Sequence, residues 1–146
     1  MDIDEFLSND KLPRDWIQEP GFSGLYVRKG PRYTFVRPPR LTYALDLANV
    51  SVENPGKGTF TRLLDRLENE RPDLSIYVES IQVPRLADFL RRRGYIDNPH
   101  VLSLCPCLML VRNYLGDTKK YGRRAWQRSQ SAAGADRLGL TAPAEE

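Results

Sequence analysis

Between Leu41 and Glu70 the apolar pattern changes period across a glycine-lysine-glycine turn, and this change limits the possible folds more than any other feature of the chain. Leu41, Tyr43, Leu45 and Leu47 alternate with Thr42, Ala44, Asp46 and Ala48. Period two with one apolar face predicts a strand over Leu41 to Val52. From Thr59 the spacing becomes helical. Phe60, Leu63, Leu64 and Leu67 form one stripe, and Arg62, Asp65, Arg66, Glu68 and Glu70 fill the other side. Pro72 ends this helix. The joining turn, Gly56-Lys57-Gly58, gathers free backbone N–H groups, the positive end of a helix dipole and a lysine in one place, a combination suited to phosphate. Taken alone, such a turn equally describes a loop that needs positive φ. It is not a Walker loop, because the G-x-x-x-x-G-K-[ST] spacing is absent. Nor is it a dinucleotide fingerprint, because no third glycine follows.

The flanking segments extend the pattern. Ile3, Phe6 and Leu7 predict a short helix over residues 3–8. Pro13 and Pro20 punctuate the chain, and GLYVRKGPRYTFVRP reads as two strands around Lys29-Gly30-Pro31. Leu74 to Ile81 is rich in β-branched and aromatic residues and predicts a buried strand. Pro84 suits the first turn of a further helix, with Leu86, Phe89 and Leu90 as core contacts and Gly94 at its end. Arg91 to Arg93 fall in its last turn, where cations meet the dipole favourably. His100 to Asn113 is again strand-like, broken or bulged at Pro106. The order β-β-β-α-β-α-β implies an α+β fold: a mixed, mostly antiparallel central sheet with flanking helices. After about Gly116 the apolar periodicity disappears. Residues 1–116 are therefore expected to form one domain, and residues 117–146 a basic, flexible tail.

Bulk properties narrow the function classes. A chain of 146 residues with 40% apolar and 28% charged content suits one soluble domain with one core. No apolar run approaches the ~20 residues of a membrane span. The acidic start, MDIDEFLSND, lacks the pattern of a signal peptide, so a cytoplasmic location is expected. Cys105 and Cys107 flank Pro106 without a further Cys or His cluster; they are expected as reduced, packed thiols, and no metal site is expected. The lone His100 has no Ser or Cys motif nearby and supports no hydrolase triad.

The segment PGKGTFTRLL resembles the acyl-CoA loop of the GCN5-related N-acetyltransferase (GNAT) superfamily. That loop reads arginine or glutamine, two residues, glycine, one residue, then glycine or alanine, followed by a helix with paired leucines. Gly58 takes a glycine position and Leu63-Leu64 the paired apolar positions; Pro55 stands where the arginine or glutamine is expected, and Phe60 replaces the final small residue. Leu74 to Tyr95 is similar to the family's fifth strand, following helix and closing glycine-aromatic pair, here Gly94-Tyr95. Leu90 stands where many members carry a tyrosine that protonates the departing thiolate, and Val83 where asparagine is common. The resemblance covers about Phe22 to Asn113 and leaves a shortened N-terminal region.

The resemblance implies an acyl-CoA-dependent N-acyltransferase that moves acetyl from acetyl-CoA to an amine, either a small amine or a protein lysine or N-terminus. The family's fourth and fifth strands part, and the thioester end of acyl-CoA enters between them. Val50 to Val52 would then pair with the pantetheine arm, and Gly56, Lys57, Gly58, Thr59, Phe60 and Thr61 would hold the pyrophosphate. Lys57 either adds charge toward the nucleotide or points into water. Glu79 is the first candidate base for the attacking amine; a strand-edge carboxylate paired with an arginine is its structural alternative. Asp46 and Glu53 follow, and Ser80 and Tyr95 are candidate proton donors. The competing expectation is a catalytically degenerate GNAT-like binding or structural module, of the kind found in a phage-like particle. A third concerns the tail: Lys119 to Arg128 interleaves basic residues with Tyr121 and Trp126, which suits contact with nucleic acid or protein.

Overall fold

The computed structural model describes residues 1–34, 40–98 and 105–112. The element order is α1 (Ile3–Ser8), β1 (Arg14–Trp16), β2 (Phe22–Thr34), β3 (Arg40–Val52), α2 (Thr59–Glu70), β4 (Ser75–Val78), α3 (Pro84–Arg92), β5 (Ile96–Asp97) and β6 (Leu108–Leu110). The fold is α+β. Among the described residues six strands form one mixed sheet in the order β1-β2-β3-β4-β6-β5. Only β3 and β4 run parallel, and α2 is their crossover; every other neighbouring pair is antiparallel. The expected tail 117–146, with Lys119 to Arg128, and the expected loop residue His100 lie outside the described residues. Among the described residues no helix is long and apolar enough to cross a membrane.

Local signals account for the helices. Asp2 and Glu5 close a reciprocal capping box at the start of α1, and Ile3, Phe6 and Leu7 are its buried side. Helix α2 runs over the span that its periodicity predicts and buries Leu63, Leu64 and Leu67. Each such leucine contributes about 1.5–3 kcal/mol of transfer free energy. Helix α3 begins at Pro84, and its last turn closes in a Schellman motif: Tyr95 N–H reaches Leu90 C=O (3.0 Å) and Gly94 N–H reaches Arg91 C=O (3.0 Å). Gly94 takes φ +95°, and a Cβ there would meet only Leu110 Cδ1 at 3.9 Å. The cost of a side chain is therefore conformational. Gly94→Ala is expected to lower the unfolding free energy by about 1–2 kcal/mol, read as a melting point lower by several degrees.

One sequence expectation is corrected by the sheet. Lys29-Gly30-Pro31 is not a hairpin turn; β2 continues through it, with Pro31 opposite Tyr43. The reason lies on the outer edge. Lys29 N–H points to Pro13 C=O (2.8 Å), and the amide position of Pro31 points the same way, past the end of β1. A proline without an N–H fits there at no loss to the ladder. Strand β1 itself has no expectation behind it. Its three residues are too few for a periodic pattern.

The core lies between the sheet and helices α1, α2 and α3. Leu25, Val27, Leu45, Leu47, Ile76, Val78 and Leu108 meet Phe6, Leu64, Leu67 and Leu90 there. Ala44, Tyr77, Cys107 and Met109 form a smaller cluster on the other sheet face. Neither cysteine forms a disulfide; Cys107 is buried and Cys105 half-buried.

Candidate functional site

The parallel ladder between β3 and β4 runs only from Ala44 opposite Ser75 to Leu47 opposite Val78. Glu79 N–H makes one further bond, to Leu47 C=O at 3.3 Å. The chain then leaves β3: Ile81 N–H bonds Pro106 C=O instead, at 2.8 Å. Ser80 makes the change of direction at φ +50°, the one non-glycine residue at positive φ among those described, and its N–H rests on Cys107 Sγ at 3.4 Å. Strand β3 continues, paired with β2 as far as Val52. Its register jumps from Asn49 opposite Tyr26 to Leu47 opposite Val27, so Ala48 is an extra, bulged residue at the place where β4 departs. The bulge also returns Val50 to the core side. The free edge of β3 therefore borders a groove of about 360 Å³, with Ala48, Val50 and Phe60 on one wall and Glu79, Ser80 and Ile81 on the other.

The groove leads to the glycine turn. Gly56 takes φ +82° and Gly58 φ +73°. Gly58 is the N-cap of α2; no side chain caps the helix and no acid lies in its first turn. The first intrahelical bond runs from Arg62 N–H to Gly58 C=O (2.9 Å), which leaves the amides of Thr59, Phe60 and Thr61 without helical partners. Val52, Gly56, Gly58, Thr61, Arg85 and Phe89 border a second cavity of about 340 Å³. Phe60, Val83 and Leu86 border both cavities, which therefore adjoin and are together called the channel. Helix α3, whose N-cap Val83 supplies no side-chain bond, starts on the same cavity, so two positive dipole ends face one space. Arg62 adds charge: its guanidinium donates to Lys57 C=O (2.8 Å) and Thr59 Oγ1 (3.4 Å). Cations at helix N-termini are unfavourable by themselves. An anion in the cavity reverses that sign.

Gly21 fixes this end of α2. It takes φ +87°, its C=O accepts from Glu53 N–H (2.9 Å), and a Cβ there would stand 2.8 Å from Thr59 Cγ2. Gly21→Ala is expected to cost about 2 kcal/mol or more from strain and overlap together. Thr59→Ser removes the overlapping methyl. The double variant should recover part of that loss in a denaturation series, and strict additivity would show that the two sites do not meet.

A charged cluster backs the splay point. Arg28 lies opposite Asp46, and Glu79 follows Asp46's β4 partner Tyr77 by two residues. Asp46 Oδ2 accepts from Arg28 Nε (3.0 Å) and Arg32 Nη2 (2.8 Å), while Arg28 Nη2 also holds Glu79 Oε1. Asp46 is fully buried. Burial first, then the neighbouring Glu79, holds its carboxyl well above the usual range, against the pull of Arg32 and Arg28.

The sequence-predicted residues divide accordingly. Val50, Val52, Gly56, Gly58, Thr59, Phe60 and Thr61 all line the channel. Lys57 is exposed and does not line it; it contributes its carbonyl to Arg62. Glu79 and Ser80 lie at the splay. Tyr95 does not. It is buried at the far end of α3, where desolvation and Glu68 hold its phenol far above its ordinary value, so it is a poor acid and remote from the groove. Leu90 is a core residue. Asp46 faces the arginine cluster, and Glu53 is exposed beside Gly21. The sequence reading missed Arg28, Arg32 and Arg85. The first two stand four apart in a strand and so share a face, a signal that period two makes visible. Comparison with protein-family models, with curated proteins and with solved structures returned no match.

Proposed function

We propose that this chain is an acyl-CoA-dependent N-acyltransferase of the GNAT type, transferring acetyl from acetyl-CoA to an amine. One observation carries the reading. Two parallel strands joined through α2 part at Leu47 and Val78, and the groove between them adjoins a cavity at an uncapped helix start behind a two-glycine turn. That is the arrangement the resemblance of PGKGTFTRLL leads one to expect. The open edge of β3 offers backbone groups to an extended amide arm, and the amides of Thr59 to Thr61 offer donors to a pyrophosphate. Arg85, across the cavity, supplies a cation where Pro55 supplies none.

The chemistry follows from the wall. Glu79 takes a proton from the acceptor ammonium, and the neutral amine attacks the thioester carbon. The C–N bond forms, the oxygen charge is met by backbone N–H, and the C–S bond breaks. The thiolate takes the second proton shed by nitrogen, directly or through Ser80. A binding module that keeps the fold without the reaction is the second reading. It is favoured by the channel lining itself, in which no described residue is a tyrosine. Calorimetric titration of acetyl-CoA into the full chain tests the first step. Micromolar binding supports the cofactor site, and turnover in an amine screen that Glu79→Gln abolishes supports the enzyme. Binding without turnover favours the module, and no binding of acetyl-CoA or CoA overturns both as acyl-CoA readings.

A further inference from the structure

Asp46 has no exposed side-chain surface, yet only one of its oxygens is used. Oδ2 collects Arg28 Nε (3.0 Å), Arg28 Nη2 (2.7 Å) and Arg32 Nη2 (2.8 Å). Oδ1 meets no N–H or O–H donor. The Arg28 Nη2 atom that reaches Asp46 also holds Glu79 Oε1, so one guanidinium keeps the two carboxyls side by side. Their positions on β3 and just beyond β4 are diagonal neighbours on one sheet face. Glu79 borders the groove and Asp46 lies behind it. A buried carboxylate oxygen without a donor is costly, and two adjacent carboxylates resist joint ionisation. A single proton relieves both costs, because it turns Asp46 Oδ1 into a donor for Glu79.

We propose that Asp46 and Glu79 share one proton and act as a pair, with Asp46 as the buried positioning residue that keeps the proton and Glu79 as the member that meets the ligand. The role in catalysis rests on the acyl-transfer reading; the pair itself does not. In that reaction Glu79 forms an O–H bond with the proton of the acceptor ammonium, the N–H electron pair stays on nitrogen, and Glu79 later returns the proton to water. Asp46 keeps its own proton throughout and orients the Glu79 carboxylate.

The groups that act on the pair are Arg28 and Arg32 from β2 and Tyr77 from β4, with Tyr26 beside Arg28 and Cys107 beside Tyr77. Burial works against the Arg28 charge, but Asp46 and Glu79 outweigh it and raise its value. Burial also holds the Tyr77 phenol far above its ordinary range. Arg28 and Tyr77 therefore keep their charge states while the pair titrates. Burial and the contact with Glu79 favour a protonated Asp46 in the same sense as the geometry.

The test is a carbon-13 carboxyl NMR titration of the ligand-free full chain. The expected result is an Asp46 signal that keeps its proton above the ordinary carboxylate range and titrates in two steps, as a carboxyl coupled to a charged neighbour does. Glu79→Gln should collapse the Asp46 curve to one step at lower pH, because the neighbouring negative charge is gone. Ionisation of Asp46 at or below the ordinary range overturns the proposal, as does an Asp46 curve that Glu79→Gln leaves unchanged. The wild-type titration decides even where the variant does not fold. No acyl-CoA enters the measurement, so a failed cofactor titration would sink the acyl-transfer reading and leave this result standing.

Discussion

Gly58→Asp is expected to weaken the proposed acetyl-CoA binding about 100-fold, close to 2.7 kcal/mol, while the melting temperature stays within a few degrees of wild type. The two effects separate for a physical reason. Gly58 sits at φ +73° as the N-cap of α2. A side chain there carries backbone strain of about 1–3 kcal/mol, least for Asn and Asp. An aspartate at an N-cap gives back about 1 kcal/mol by accepting from a free amide of the first turn. Its Cβ would stand 3.2 Å from Arg62 Nη1, the movable end of a flexible side chain that can pair with the new carboxylate. Stability is thus nearly balanced. Binding is not, because the carboxylate fills the amide nest and repels a phosphate from the cavity that Gly56, Gly58 and Thr61 border. Calorimetry and a thermal melt on the same variant check the prediction. Equal binding by wild type and variant would remove the glycine turn from the proposed cofactor site.

Asp46→Ala is expected to lower the unfolding free energy by about 3 kcal/mol at neutral pH, read from the denaturation midpoint at constant slope. Asp46 Oδ2 is the acceptor for donors on both Arg28 and Arg32, and the side chain has no access to water. Removing one member of such a buried network strands the charges that it served. The pH dependence carries a sign. Burial and Glu79 raise the Asp46 carboxyl in the folded chain, so the folded state binds this proton more tightly than the unfolded one. Its contribution is full below the ordinary carboxylate range and is lost as pH rises toward the raised value. Asp46→Asn removes that titration while keeping an acceptor for the arginines. The stability of wild type minus that of Asp46→Asn should therefore shrink as pH rises through this window. A difference that grows with pH would mean that Asp46 is stabilised as the anion instead.

Much of the scaffold was legible from local rules. The bounds of α2, the long strand β3, the start of α3 at Pro84 and its end at Gly94 all follow from periodicity and caps that act over one or two turns. The same rules located the phosphate-suited turn, because a strand that runs through two glycines into an amphipathic helix leaves its free amides in a known place. Where several strands had to agree, local rules ran out. The continuity of β2 past Pro31 depends on where β1 ends. The remoteness of Tyr95 from the groove depends on the length of α3 and on which end of it faces the cavity.

The sequence by itself determined the alternation that puts Asp46 off the leucine face and the helix start that offers free amides. Only the tertiary structure decided what Asp46 meets there and what those amides border. Arg28, Arg32 and Glu79 come to Asp46 from the strands on either side, across an antiparallel register and a parallel one. The groove exists because Ala48 bulges where Ser80 turns β4 away. A register is fixed by pairing between distant segments, and a shift of one residue would send each of these side chains to the opposite face.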